Sequence, residues 1–207
     1  MRVWAIIPVK PFVRAKSRLA DVLAASEREA LAEKMLRHGI HVVKSTPLIT
    51  GVTVVSRDSK VLSIARDLGV ITVQESGTPE LNSALYRAAE VVRVQGAEAV
   101  LVMPSDLPMH TVEDVEQIIR MGRYNGTVVI APDRIDDGTN ALFVCPPGLI
   151  PFSFGKGSFH RHQNEARNAG ATVKIYRSDR ISLDLDTPAD LEYYHQTIGA
   201  AAAPDHY

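Results

Sequence analysis

Residues 99–108 read AVLVMPSDLP, and they decide the fold. Ala99 to Met103 is an uninterrupted apolar run. That pattern suits a strand covered on both faces, as at the centre of a parallel sheet. Pro104 ends the run and Asp106 follows at once. Ligands of open α/β sheets bind beyond the carboxyl ends of the strands. An acidic residue at this point therefore stands where chemistry is expected.

The flanking segments alternate between the two periodicities. Strands are predicted at Val3–Val9, Gly51–Ser56, Val70–Gln74, Thr127–Ala131, Ala141–Cys145 and Thr172–Tyr176. Helices are predicted at Ser26–Lys44, Ser59–Leu68, Leu81–Gln95, Thr111–Met121, Ser158–Ala169 and from Thr187 onward. Ser26 with Glu29, and Thr111 with Asp114, have capping-box spacing. Thr187 followed by Pro188 is an N-cap with proline at the first helical position. Strands alternating with helices give an α/β protein, a three-layer α/β/α sandwich with a mostly parallel sheet. Residues 1–198 are expected to form one domain. The segment 199–207 (GAAAAPDHY) is expected to be a disordered tail.

Composition limits the functions open to such a domain. The 207 residues hold 23 Lys and Arg against 24 Asp and Glu, a net charge of −1. No global field favours nucleic acid. The apolar run of MRVWAIIPVKPF stops at Pro8 and Lys10, too early for a secretory signal. No stretch approaches the roughly 18 apolar residues needed to span a bilayer. The lone Cys145 excludes an internal disulfide and a multi-cysteine zinc site, and it is expected to be buried and inert. The expectation is a cytoplasmic protein without nucleic-acid or membrane partners.

The polar segments after the strands supply the candidate chemistry. Lys10, Arg14, Lys16 and Arg18 form a basic loop after the first strand. It suits a nucleoside triphosphate, or it is simply a solvated loop. GxGxxG and GxxxxGK[ST] are absent, so side chains rather than a glycine cradle would hold phosphates. Asp106 reads as a ligand of a phosphate-bridging Mg2+, or as a turn aspartate with a local hydrogen bond. Asp184 and Asp186, in SLDLDTP, fall on one side of an extended segment with Leu183 and Leu185 on the other. Two carboxylates on one side suit one or two divalent cations.

The pair DRIDDGTN (133–140) and FGKGSFHRH (154–162) reads as an anion site. Gly138, Gly155 and Gly157 would admit backbone N–H groups to an anion. Thr139 and Ser158 add hydroxyls, and the helix from Ser158 would turn its positive end to the same anion. Asn82 would read a base edge or cap its helix. His160 and His162 do not share a helix face; His162 could meet an anionic ligand, and a surface role is the favoured expectation.

IPVKPFVRAKSRL, PSDLP, APDR…DGTNAL, PFSFGKGSFHRH and LDLDTPADL occur in this order over nearly the whole chain. In these motifs the chain resembles the 2-phospho-L-lactate guanylyltransferase family of coenzyme F-420 biosynthesis, whose bacterial members are described as phosphoenolpyruvate guanylyltransferases. The resemblance implies a single-domain fold of the nucleotide-diphospho-sugar transferase type, related to molybdenum-cofactor guanylyltransferases. It implies GTP and a phosphorylated carboxylic acid as substrates, with Mg2+, one or two ions, as cofactor. Carried over by position, Lys10, Lys16 and Arg18 would contact GTP phosphates and act in catalysis. Asp106, Asp184 and Asp186 would bind metal, and Asp106 and Asn82 would lie in the GTP site. Thr139, Gly155 and Ser158 would hold the acceptor acid. Two spellings depart from the family: Glu80-Leu81-Asn82 replaces Gly-Leu-Asn, and LDLD replaces DID.

Other functions fit parts of the pattern. One is a nucleotidyltransferase acting on a sugar phosphate or the molybdenum cofactor. Another is a non-catalytic nucleotide-binding domain, against which the retention of all three aspartates argues. The choice among phosphoenolpyruvate, 2-phospho-L-lactate and 3-phospho-D-glycerate, the basis of guanine preference and the oligomeric state, homodimer included, are open at this level.

Overall fold

A computed structural model of the chain describes residues 1–77 and 80–202, except for the side chains of 198–202. A seven-stranded sheet runs through it in the order β3-β2-β1-β4-β6-β5-β7. The strands are β1 (Val3–Pro8), β2 (Ile49–Ser56), β3 (Ile71–Gln74), β4 (Ala99–Val102), β5 (Thr127–Pro132), β6 (Thr139–Cys145) and β7 (Thr172–Ile175). Every pairing is parallel except the two made by β6, which runs antiparallel to β4 and β5. The predicted central position of β4 holds: it lies between β1 and β6, and all four of its residues are buried.

Side chains alternate across the sheet and build one core on each face. Trp4, Ile6, Val100, Val102, Val128 and Ile130 pack on one face. They meet α3 (Leu81–Val94) and α5 (Ser158–Asn168) through Leu85, Ala88, Phe159 and Ala166. On the other face Ala5, Ile7, Val52 and Val54 meet α1 (Ala25–Ser45) and α2 (Ser59–Asp67). Leu101, Val129 and Phe143 meet α4 (Val112–Met121) there. This is the predicted three-layer sandwich.

Local signals fixed most boundaries. Asp114 accepts from the Thr111 amide at 3.0 Å, closing the predicted capping box of α4. Asp190 accepts from the Thr187 amide at 2.8 Å at the start of α7 (Pro188–Ala202). The first helix differs from expectation. It starts at Ala25, and Glu27, not Glu29, reaches back to the Ala24 amide at 2.7 Å. Ser26 therefore lies inside the first turn. A glutamate three residues past the residue that precedes the helix makes the reciprocal half of a capping box whatever that residue is, so Ala24 serves. Two 3-10 turns in the basic loop, Phe12–Arg14 and Ser17–Leu19, were not predicted, nor was the short α6 (Asp179–Ser182). Helix α7 is described to Ala202, past the Gly199 at which the predicted tail begins. The rest of that tail lies outside the described residues.

Candidate active site

The carboxyl ends of β1, β4 and β5 open on one edge of the sheet. Because β6 is antiparallel, its first residue, Thr139, stands at that same edge. The basic loop, PSDLP, the DGTN turn and the LDLD segment converge there.

The basic loop is drawn in rather than splayed into water. Asp58 caps α2 through the Lys60 amide at 2.9 Å and accepts the Phe12 amide at 2.8 Å. Phe12 and Leu19 are buried and anchor the loop. Between them Lys16 adopts a left-handed backbone (φ 55°). That conformation is uncommon for a residue with a Cβ. It turns the buried Lys16 ammonium to Asp186 at 2.9 Å and to Asp106 at 3.3 Å. Burial lowers the Lys16 pKa, but Asp106 and Asp186 outweigh it, and the net shift is upward. Lys10 and Arg18 are exposed, and their charges reach Asp186. Burial would raise its pKa, yet Lys16, Lys10 and Arg18 together lower it.

Asp184 is the unrelieved member of this cluster. Leu183 and Leu185 are fully buried, so the predicted alternation holds and the carboxylates share the opposite side. Asp184 has no ion pair among the described residues. Burial, then repulsion from Asp106 and to a lesser degree from Asp186, pushes its pKa up to about 6. The LDLD segment is fastened at several points. The Leu185 amide donates to the Asp106 carbonyl at 3.0 Å. Asn140 donates to the carbonyls of Ile181 at 2.9 Å and Ser182 at 3.0 Å. Buried Asp114 gathers Tyr176, Ser178 and Arg180 just upstream.

The predicted set of three metal carboxylates is not assembled as a cage. Among the described residues no three His, Cys, Asp or Glu side chains are arranged to hold a metal ion. The physical reason is Lys16, whose ammonium lies between Asp106 and Asp186. The oxygen donors nevertheless fit a hard cation such as Mg2+. Such an ion keeps several waters and needs only one or two carboxylates beside substrate phosphates. Asp184, raised in pKa and without a counter-charge, is the group a divalent cation would relieve.

The DGTN turn and the glycine loop differ from the anion cradle predicted for them. Asp133 accepts the amides of Gly138 at 2.8 Å, Asp137 at 2.9 Å and Ile135 at 3.2 Å. A Cβ at Gly138 would come within 2.8 Å of that carboxylate, so this glycine serves the turn itself. Asp137 likewise takes the Gly157 amide at 3.0 Å. The first amides of α5 are also engaged: Ser158 donates to the Gly155 carbonyl and Phe159 to the Asp137 carbonyl, each at 3.0 Å. Gly155, at φ 118°, has a backbone that only glycine adopts readily. Arg161 clamps the loop through the carbonyls of Ser153, at 2.9 Å, and Lys156.

Thr139 and Ser158 are brought together, with their hydroxyls at 3.1 Å, and both are buried. His162 joins them, its Nδ1 at 3.0 Å from the Thr139 hydroxyl. The sequence placed His162 on the surface, but it is fully buried. Its spacing from Ser158 is the signal that was available, since residues four apart share a helix face. Asn82 is also corrected. The cap of α3 is Glu80, which accepts from the Asn82 amide at 2.9 Å. The Asn82 side chain exchanges two hydrogen bonds with the Phe154 backbone, at 2.8 and 3.3 Å. Its amide thus holds the glycine loop with one N–H and one lone pair of its oxygen.

The sequence of the family described as "Guanylyl transferase CofC like" matches residues 2–195. The chain belongs to this family. Among its curated relatives, the phosphoenolpyruvate guanylyltransferase of Rubrobacter xylanophilus is 38% identical, over 99% of this chain and 98% of that protein. The 2-phospho-L-lactate guanylyltransferase of Methanothermobacter thermautotrophicus is 37% identical, over 92% of this chain and 83% of that one. A solved structure assigned to a nucleotide-diphospho-sugar transferase of Desulfovibrio desulfuricans G20 superposes with a TM-score of 0.78 at 17% identity, covering 98% of this chain and 90% of that one. That likeness shows the fold, and it is the fold type that the five motifs imply. Among the described residues of this guanylyltransferase-family chain, no helix is long and apolar enough to cross a membrane.

Proposed function

We propose that the chain transfers GMP from GTP to the phosphate of a small phosphorylated carboxylic acid, releasing pyrophosphate, in coenzyme F-420 biosynthesis. The observation that carries this reading is the joining of two sites by adjacent residues. Thr139 belongs to the buried hydroxyl pair, and its neighbour Asn140 holds the segment that presents Asp184. An anion held near Thr139 therefore lies beside the carboxylate cluster that manages a triphosphate.

The transfer makes few chemical demands. A phosphate monoester is largely dianionic at neutral pH, so no strong general base is needed. The acceptor's phosphate oxygen attacks the α-phosphorus of GTP as the bond to the pyrophosphate oxygen breaks. The protein supplies alignment and neutralising charge. Lys10 and Arg18, exposed beside Asp186, receive the triphosphate. Lys16 holds Asp106 and Asp186 in place from below and can extend to the same phosphates. A divalent cation held by Asp184 with Asp106 or Asp186 would offset the repulsion between the two anions. The names of the relatives favour phosphoenolpyruvate or 2-phospho-L-lactate as acceptor. The protein acts in the cytoplasm, and a homodimer is compatible with this site.

The test is pyrophosphate release from GTP, ATP and CTP with phosphoenolpyruvate, 2-phospho-L-lactate and 3-phospho-D-glycerate, with and without Mg2+, and mass detection of the product. Release with GTP and one of the first two acids is expected. GTP binding with no pyrophosphate from any of the three acids would replace the transferase reading with a nucleotide-binding module.

A further inference from the structure

His162, which the mechanism leaves unused, forms a hydrogen-bonded row with Thr139 and Ser158. Its polarity can be read from one contact. The Ser153 amide donates to His162 Nε2 at 3.0 Å. A backbone N–H can only donate, so Nε2 must be the unprotonated nitrogen. The proton of the neutral ring is then on Nδ1, which faces the Thr139 hydroxyl at 3.0 Å and donates to it. Burial, assisted by the neighbouring Arg161 charge, holds the imidazole down to about 4, so the ring is neutral at physiological pH. Phe154 packs on the imidazole in a T-shaped arrangement, with ring centroids 4.9 Å apart, and Asn82 holds the Phe154 backbone in turn.

The hydrogens of the row can be counted. The donors are His162 Nδ1–H, the Thr139 hydroxyl and the Ser158 hydroxyl. One hydrogen is used from His162 to Thr139. One more is used between Thr139 and Ser158, at 3.1 Å. One hydroxyl hydrogen is left with no acceptor among the described residues, whichever of the two hydroxyls carries it. A row that ends in a spare donor and is driven by a ring that can only donate into it is complementary to an anionic oxygen.

We propose that His162 is the positioning residue of the acceptor pocket, orienting the Thr139–Ser158 hydroxyls so that their remaining hydrogen is given to an oxygen of the phosphorylated acid. The identity of the anion rests on the transferase reading above; the direction of the row rests on the Ser153 contact alone. His162 itself does not touch the substrate.

The experiment compares wild type with His162→Gln, His162→Asn, Thr139→Val and Thr139→Ser. Binding of phosphoenolpyruvate, 2-phospho-L-lactate and GTP is measured separately by calorimetric titration, and KM for each is measured in turnover. Glutamine can still accept from Ser153 but offers Thr139 no fixed donor, whereas asparagine places an N–H near the Nδ1 position. His162→Gln and Thr139→Val should weaken the acid about tenfold to a hundredfold and GTP less than about twofold, the size of a lost hydrogen bond to a charged group. His162→Asn and Thr139→Ser should recover most of that loss. The double variant His162→Gln/Thr139→Val should be no worse than the weaker single variant, since both break one row. Nitrogen-15 spectra of labelled histidine should show His162 as the Nδ1–H tautomer.

An Nε2–H tautomer, equal losses for GTP and acid, or additive losses in the double variant would each overturn the proposal. If His162→Gln does not fold, Thr139→Val against Thr139→Ser asks the same question. A wild type that binds the acid but releases no pyrophosphate sinks the transferase reading and leaves the row standing. A wild type that transfers GMP while His162→Gln keeps its KM for the acid sinks the row alone. A wild type that neither binds nor uses either acid sinks both.

Discussion

The ammonium of Lys16 lies 2.9 Å from the Asp186 carboxylate, and the two residues come from opposite ends of the chain. The contact closes the N-terminal loop against the segment that leads into the last helix. The same ammonium reaches Asp106 on the central loop at 3.3 Å. One cation thereby ties three separate segments together at the edge where the substrates are expected.

Replacing Lys16 by Met removes the ammonium in contact with Asp106 and Asp186, leaving the more distant charges of Lys10 and Arg18 on Asp186. Removing one partner of a largely buried pair costs about 2–4 kcal/mol. Urea unfolding at pH 7 without divalent ions should show that loss, and it should shrink when Mg2+ is added. Turnover should fall by more than about a hundredfold, since a positioned cation is lost as well.

Asp184→Asn should separate stability from activity. The native carboxyl titrates near 6 while the unfolded one titrates near the ordinary 3.8. The folded state therefore binds the extra proton between these values, and stability falls as pH rises from about 4 to about 6. The neutral amide escapes that loss. In chelator at pH 7.5 the variant should be more stable than wild type by about 1–3 kcal/mol, with the advantage gone near pH 4. Pyrophosphate release should be abolished. Thermal melts at the two pH values check the first part and a turnover assay the second. A variant with wild-type turnover would remove Asp184 from the active site.

Asp114 behaves in the opposite sense. Burial raises its pKa, but hydrogen bonds from Arg180, Tyr176 and Ser178 outweigh burial and hold it at about 2. Its contribution is present above about pH 4 and is lost as pH falls toward 2. Asp114→Asn should lower stability at pH 7 by about 2–4 kcal/mol, because Arg180 loses its counter-charge and one of the two acceptor oxygens becomes a donor. The difference from wild type should narrow in melts at pH 3.

Asn140→Ala removes both hydrogen bonds to the Ile181 and Ser182 carbonyls. Two neutral bonds to buried acceptors are worth about 1–3 kcal/mol. The variant should stay folded, with a melting temperature lower by several degrees. Its kcat should fall about tenfold or more, because misplacement of a catalytic group by about 1 Å is costly. Steady-state kinetics beside a thermal melt distinguish the two effects.

The fold was legible because its signals are local. The apolar run at 99–103 placed β4, and the spacing of Thr111 and Asp114 placed α4. The paired side of Asp184 and Asp186 was legible for the same reason, since alternation in an extended segment follows from backbone geometry. Other features were not. The engagement of Lys16 by Asp106 and Asp186 depends on a left-handed residue and on contacts between distant segments. The Asn82–Phe154 exchange, between residues 72 apart, also arises only when loops meet. The burial of His162 is carried by its four-residue offset from buried Ser158 on one helix face, whereas its two-residue offset from His160 says nothing of which face is buried.

The reversal of β6 has a consequence for how this scaffold can change. The turn from 133 to 138 both leaves and re-enters the sheet at the substrate edge. Lengthening it need not shift a strand register, but the turn has to keep Asp137, which holds the amides of Gly157 and of the core residue Phe159. The clasp of Asn140 on α6 would stay in place through such a change. The hairpin and the glycine loop therefore vary as one unit, and a graft between relatives has to carry both segments together.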